Sequence, residues 1–217
     1  YGATGFTGKL CVKYFQSLDT TVTWAMAGRN LTKLKKVAED NQTKVEILIA
    51  DSDDESALDD LTARAKVILS TTGPFHRYGS KLVASCIKNH AHYVDITGEN
   101  FWVKGLIEKH HAEALAKGIR IIPSCGFDSI PSDLGTFFSA KAIGKPIKRI
   151  ESFHSYKGGA SGGTLETMFS MGELDLGDDL TDPFLLNPND SYSNEQKQLS
   201  GDRVGIAKKP EIKAWSG

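Results

Sequence analysis

Cysteine is scarce in this chain, charge of either sign is nearly cancelled, and long apolar runs are missing. The three cysteines, Cys11, Cys86 and Cys125, cannot all pair with one another, and two of them lie in apolar helical stripes. A disulfide-stapled domain is therefore excluded, and a reducing intracellular compartment is expected. The 26 basic and 27 acidic residues leave a formal charge of −1, which calls for no nucleic acid or other polyanionic partner. The densest basic run, Lys33, Lys35 and Lys36, reads as a solvated helix face. No stretch approaches the roughly 18 apolar residues of a spanning helix, and no signal-peptide pattern is visible. The six histidines show no metal-ligand spacing with carboxylates or cysteines. His110 and His111, adjacent on a helix, face different ways, so no metal site is expected. Tyr78 is followed four residues on by Leu82, which rules out a Tyr-x-x-x-Lys pair there. Gly8-Lys9 is followed by Leu10, which rules out a nucleoside-triphosphate P-loop.

What is present begins at once. Gly2-Ala3-Thr4-Gly5-Phe6-Thr7-Gly8 is a Gly-x-x-Gly-x-x-Gly loop running into an apolar stripe of helical period: Leu10, Cys11, Tyr14, Phe15 and Leu18. Such a loop brings bare backbone N–H groups and a helix N-terminus against a pyrophosphate. Gly2, Thr4, Gly5, Phe6, Thr7 and Gly8 are thus candidate cofactor-binding residues. A dinucleotide fold needs a buried strand before this loop, and only Tyr1 precedes it. The expectation is a parallel sheet that lacks its first strand in this chain.

Val22 to Gly28 reads as the next strand, ending at Arg29 and Asn30. The residue after this strand meets the adenosine ribose; an acidic one suits NAD, a basic one the 2′-phosphate of NADP. Arg29 therefore points to NADP(H) rather than NAD(H). The plainer alternative is that Arg29 ends a strand and Asn30 caps the helix carrying Leu31, Leu34 and Val37. Strand and helix signals then alternate: a strand at 45–50 ending at Asp51, a helix through Leu58 and Leu61 capped by Asp53 or Asp54, and a strand at 66–72 closed by Gly73-Pro74. A helical stripe of Leu82, Val83, Cys86 and Ile87 follows. Next come a strand at 93–96, a helix from Phe101 to Gly118, and a strand at 119–123. This repetition predicts an α/β, doubly wound parallel sheet with helices on both faces. Ligands gather at the carboxyl ends of such strands. There Asp51 either accepts from an adenine amino group or opens a turn. Thr72, Gly73 and Pro74 are placed under the cofactor ribose and nicotinamide, and Glu99 favours the start of the next helix.

Ser124 to Gly135 is the second unusual stretch. Asp128 or Ser129 caps a helix with Pro131 in its first turn, or Asp128 borders the nicotinamide pocket and takes part in the chemistry. From Ile147 the pattern changes, dividing the chain into a dinucleotide-binding domain at 1–146 and part of an α+β substrate or dimerisation domain at 147–217. Residues 150–156 suggest an antiparallel or edge strand bearing His154 and Tyr156, which join Asp128 as candidate catalytic proton donors. A Gly/Ser loop at 158–164 then leads into a helix with Leu165, Met168 and Phe169. That loop is either a connector or an anion cradle. Asp178 to Arg203 reads as a long loop, lid or insertion.

Four motifs together, Gly-Ala-Thr-Gly-Phe-Thr-Gly, Ala27-Gly28-Arg29, Thr72-Gly73-Pro74-Phe75 with Tyr78-Gly79, and Gly126-Phe127-Asp128-Ser129-Ile130-Pro131-Ser132-Asp133, resemble the saccharopine dehydrogenase-like oxidoreductases, which include trans-acting enoyl reductases of lipid biosynthesis. The resemblance spans roughly residues 1 to 171. It implies an NAD(P)-dependent fold with an inserted α/β substrate domain, and a lipid-droplet or membrane-surface association known for animal members. The expected activity is hydride transfer, with NADP(H), to or from a C=C, C=N or C=O bond of a small or lipid-like substrate. A homodimer is among the expected assemblies. The alternative is a dinucleotide-binding scaffold without catalysis that acts through protein or lipid-surface partners.

Overall fold

The computed structural model describes residues 1–19, 21–147, 150–152, 159–180, 182–188, 191–199, 207–209 and 214–216. Strands and helices alternate through the first two thirds of the chain. The order is α1 (Phe6–Ser17), β1 (Ala25–Gly28), α2 (Leu31–Asp40), β2 (Glu46–Ile49), α3 (Glu55–Ala63), β3 (Val67–Ser70), α4 (Phe75–Tyr78), α5 (Ser80–Lys88), β4 (His92–Asp95), α6 (Asn100–Ala116), β5 (Ile121–Ile122) and α7 (Ile130–Ile143). Beyond these lie α8 (Gly162–Gly172), a 3₁₀ turn at Gly177–Leu180, α9 (Asn194–Leu199), and the antiparallel pair β6 (Ala207–Lys209) and β7 (Ala214–Ser216).

Every pairing in the main sheet is parallel. β1 pairs with β2 from Ala25–Glu46 to Gly28–Ile49, β3 pairs with β4 from Val67–His92 to Ser70–Asp95, and β4 pairs with β5. Tyr1 joins the two ladders. Its amine donates to the Leu69 carbonyl (2.7 Å), its carbonyl accepts from Thr71 N (3.0 Å), and Gly2 N and Ala3 N donate to the Ala27 carbonyl (3.0 and 3.2 Å). The spatial order is therefore β2-β1-Tyr1-β3-β4-β5, with Tyr1 in the row that a first strand takes in a doubly wound dinucleotide fold.

Both faces of the sheet are covered. Met26 and Ile47 pack with Val12, Leu34 and Val37 of α1 and α2, whereas their neighbours Ala27 and Leu48 pack into a larger cluster with Leu58, Leu82, Val83, Tyr93, Trp102 and Leu106. Successive strand residues point to opposite faces, so the two clusters are the two sides of one sheet. Local chemistry starts the helices where the sequence suggests. Asn30 Oδ1 accepts from Lys33 N (2.9 Å) and Asp54 Oδ1 from Ala57 N (3.0 Å), each satisfying an amide that the helix itself leaves open. Past the end of α6, Gly118 turns with φ +66°, the left-handed conformation that stops a helix.

Several expectations need correction. The stripe on α1 is not buried as a whole: Gly8 and Val12 face the core, while Leu10, Tyr14 and Leu18 are exposed. On α6 the core side is Trp102, Val103, Leu106, His110 and Ala114, and Leu115 points to solvent. The strands are shorter than their apolar runs: β1 pairs only over Ala25–Gly28 and β5 only over Ile121–Ile122. The stretch after Gly177 is not uniformly loop, since it contains the 3₁₀ turn and α9.

Candidate functional site

The carboxyl ends of the strands bring four segments together, and the glycine-rich loop is their centre. Gly2 has φ +86°, and a Cβ there would lie 2.4 Å from Thr72 Oγ1 and 2.9 Å from Thr71 Oγ1. Gly8 sits in the first turn of α1, where a Cβ would lie 2.2 Å from the Gly2 carbonyl oxygen. These two glycines are required for the loop and the helix to touch. Gly5 is different: a Cβ there would meet only the Gly2 oxygen at 3.5 Å, so the fold itself tolerates one, and its bareness leaves room on the outer side. The α1 N-terminus carries no side-chain cap and no acidic residue in its first turn. Its first N–H groups and the positive end of its dipole therefore meet no acidic side chain of their own, the arrangement that suits an anion.

The adenosine side is formed by the ends of β1 and β2. Arg29 is exposed, and Asn30 is engaged in capping α2. Asp51 opens the expected turn, its Oδ1 accepting from Asp53 N (3.0 Å). Both charged residues lie close to the Tyr1 phenol. Burial pushes its pKa up to about 12, reinforced by the Asp51 charge and opposed by a hydrogen bond with Ser52 and by the Arg29 charge. The structure thus gathers Arg29 and Asp51 at one end of the loop.

On the other side, Thr71 Oγ1 donates to the carbonyls of Tyr1 (3.3 Å) and Gly2 (3.2 Å), fixing β3 to the loop. Thr72 Oγ1 is buried against Gly2 and has no hydrogen-bond partner among the described residues. An orphaned hydroxyl beside a glycine cradle and an open helix N-terminus suits a polyoxygenated ligand such as a dinucleotide. The chain then passes through the cis Gly73–Pro74 bond into the single turn of α4.

Three features here escape sequence reasoning. Glu99, expected to favour the start of α6, turns its side chain the other way: Oε1 accepts from Phe75 N (2.7 Å), and Oε2 accepts from His76 N (2.7 Å) and faces His76 Nδ1 (2.6 Å). Asp95, fully buried, accepts from Tyr93 OH (2.9 Å), Thr97 N (3.0 Å) and Ser124 N (2.9 Å). Burial raises its pKa above the usual carboxylate value, against the pull of those backbone donors. The Ser124 backbone, at φ +60°, is held there, and Cys125 N donates to the Asp95 carbonyl (2.7 Å). The only sequence signal was a set of polar residues at strand ends, which spacing alone does not assign to partners. Asp128 lies exposed in the turn before α7, and the helix starts without a side-chain cap from Ser129. Gly126 packs against Ile96, where an added Cβ would lie 3.3 Å from the Ile96 Cβ. This puts the 124–128 segment beside the end of β4. His154 and Tyr156 lie outside the described residues.

A doubly wound parallel sheet with a glycine loop, an open helix N-terminus and a basic residue after the second strand position defines a dinucleotide-binding domain. Residues 1–122 match the family described as saccharopine dehydrogenase NADP binding domain. The chain belongs to that family of NADP-binding oxidoreductase domains, and its cofactor is NADP(H). Among its relatives are a putative trans-acting enoyl reductase of Mycobacterium tuberculosis (36% identical over 202 residues, 87% of this chain and 48% of that protein) and a trans-acting enoyl reductase of Mycobacterium leprae (41% over 140 residues, 63% and 34%). A lipid droplet localized protein of Caenorhabditis elegans is 34% identical over 182 residues, 77% of this chain and 43% of that protein. The chain spans less than half the length of these relatives. Apo saccharopine dehydrogenase (L-Glu forming) of Saccharomyces cerevisiae shares the fold, with a TM-score of 0.55 at 19% identity over 65% of this chain and 30% of that one.

Proposed function

We propose that this chain is the cofactor-binding part of an NADP(H)-dependent oxidoreductase that moves a hydride to or from a C=C, C=N or C=O bond of a small or lipid-like substrate. The observation that carries the reading is the uncapped α1 N-terminus behind Gly2 and Gly8, set at the carboxyl ends of β1 and β3. In this reading Gly2, Thr4, Gly5, Phe6, Thr7 and Gly8 hold the pyrophosphate. Arg29 pairs with the 2′-phosphate, Asn30 and Asp51 border the adenosine, and Thr72, Gly73 and Pro74 border the ribose and nicotinamide. The bound cofactor supplies the hydride. The chain's own task is to orient the ring and to hold a proton donor near it, with Asp128, His154 and Tyr156 as the candidates.

The names of the mycobacterial relatives favour a C=C bond, and the nematode relative favours a lipid-like substrate and a lipid surface as the place of action. Among the described residues no helix is long and apolar enough to cross a membrane. Residues 147–217 are assigned to part of the substrate domain. The test is oxidation of NADPH across a panel of enoyl, imine and ketone compounds. Turnover of one class, abolished by Asp128→Ala or His154→Ala, supports the proposal. Tight NADPH binding with no turnover in any class refutes it and leaves a cofactor-binding scaffold.

A further inference from the structure

The turn Gly73–Tyr78 is too short to hold its own shape. α4 is a single turn, and Pro74 before it offers no side-chain cap. Its position is set from outside by Glu99. That carboxyl group is 1% exposed, and it takes both N–H groups at the start of α4 and meets the His76 ring. The same residue is anchored on its own side. Glu99 N donates to Thr97 Oγ1 (3.0 Å), and the Glu99 carbonyl accepts from Trp102 N (3.0 Å) and Val103 N (3.1 Å), the first turn of α6. The rings follow the same seam: Phe75 lies against Trp102 (5.8 Å between centroids) and His76 against Phe101 (5.5 Å). One side chain thus fastens the β3 exit to the β4 exit. Burying a carboxyl group is expensive relative to filling the same space with an apolar residue, so this arrangement favours a defined position of the turn over bulk stability.

We propose that Glu99 is a positioning residue for the nicotinamide half of the cofactor, acting through the Gly73–Tyr78 turn without touching the ligand. The inference rests on the cofactor reading above. In a doubly wound fold the glycine loop takes the pyrophosphate and the end of β1 takes the adenosine ribose. The β3 exit, across the loop from Arg29, is left for the other half. There Thr72 points its unpartnered hydroxyl at Gly2, and Gly73 and Pro74 follow directly. Releasing Phe75 N and His76 N from Glu99 frees the turn that begins with Gly73 and Pro74, directly after Thr72, while the Gly2–Gly8 loop and Arg29 keep their own supports.

The experiment compares two ligands on the Glu99→Gln variant. Gln is isosteric, but its amide NH₂ faces a donor where the carboxylate accepts. NADPH reads the whole site, and adenosine 2′,5′-bisphosphate reads the adenosine half alone. The expected result is a loss of about tenfold or more in NADPH affinity, the scale of one or two hydrogen bonds to a charged group, with the bisphosphate affinity within about twofold of the unsubstituted chain. Retained bisphosphate binding also shows that the variant is folded. His76→Leu, which removes one contact and keeps packing on Phe101, gives a smaller loss in the same direction and stands in if Glu99→Gln does not fold. Unchanged NADPH affinity in both variants overturns the proposal. So does an equal loss for both ligands, which makes Glu99 a general stabiliser. If the unsubstituted chain binds neither ligand, the cofactor reading falls and this inference falls with it.

Discussion

Gly8→Ala should destabilise the chain although it replaces glycine with the best helix former. In an unobstructed helix this exchange gains about 0.5–1 kcal/mol, because glycine loses more backbone freedom on folding. At Gly8 the new methyl meets the Gly2 oxygen at 2.2 Å, the Ala3 Cα at 2.8 Å and the Gly2 carbonyl carbon at 2.9 Å. All three are backbone atoms and cannot swing aside. Forcing a methylene into such a contact costs about 1–3 kcal/mol, and the rigidity of the neighbours argues for the upper half. The net expectation is a loss of about 1–2 kcal/mol. Gly105, exposed in the middle of α6 with nothing within 4 Å of an added Cβ, is the internal control. Gly105→Ala should gain about 0.5–1 kcal/mol. The assay is urea unfolding followed by circular dichroism. The two variants should differ in midpoint by roughly 1 M, with unfolding slopes alike. A Gly8→Ala variant as stable as Gly105→Ala would refute the close packing of loop on helix, and with it the geometry of the cradle.

Three further outcomes follow from burial and capping. Burial pushes the Cys86 thiol up to about 12, so the neutral thiol is the form the fold favours. That stability is fully present below the unfolded value near 9.0 and is lost as pH rises from there toward 12. At neutral pH the exposed Cys125 should react first with a thiol reagent and Cys86 only on unfolding, and Cys86→Ala should flatten the alkaline limb of the stability profile. Equal reaction of both thiols in the folded chain would contradict the buried position. Asp54→Ala should cost about 1 kcal/mol in the same urea assay, since it leaves the Ala57 amide at the start of α3 uncapped; no change would show that the cap carries no weight.

How much of this was legible in the sequence depends on the range of the interaction. The alternation of elements and the Gly118 stop follow from neighbours a few residues apart, and the structure bears them out; it also shows Asn30 capping α2, the plainer of its two readings, and decides between Asp53 and Asp54 in favour of Asp54. The α1 stripe of Leu10, Cys11, Tyr14, Phe15 and Leu18 has the helical period but not the buried side: Val12, outside that stripe, faces the core, and only the position of the sheet decides which side is covered. Glu99 was assigned by proximity to α6, yet its side-chain partners are 23 and 24 residues upstream. Asp95 reaches 29 residues on to Ser124. Local spacing carries no record of such pairings; they emerge only when parallel strands bring their ends together. The glycine loop was readable because its requirement, bare backbone at fixed intervals before a helix, is local.

The central claim is that this site takes NADPH through Arg29. Titration of the chain with NADPH and NADH, repeated on Arg29→Ala, tests it most directly. NADPH should bind more tightly, and the substitution should remove most of that preference, about 1.5–3 kcal/mol for a charge-assisted contact, while leaving NADH affinity nearly unchanged. Equal binding of the two cofactors by the unsubstituted chain, or a preference that survives Arg29→Ala, would contradict the account and reduce Arg29 to the residue that follows β1.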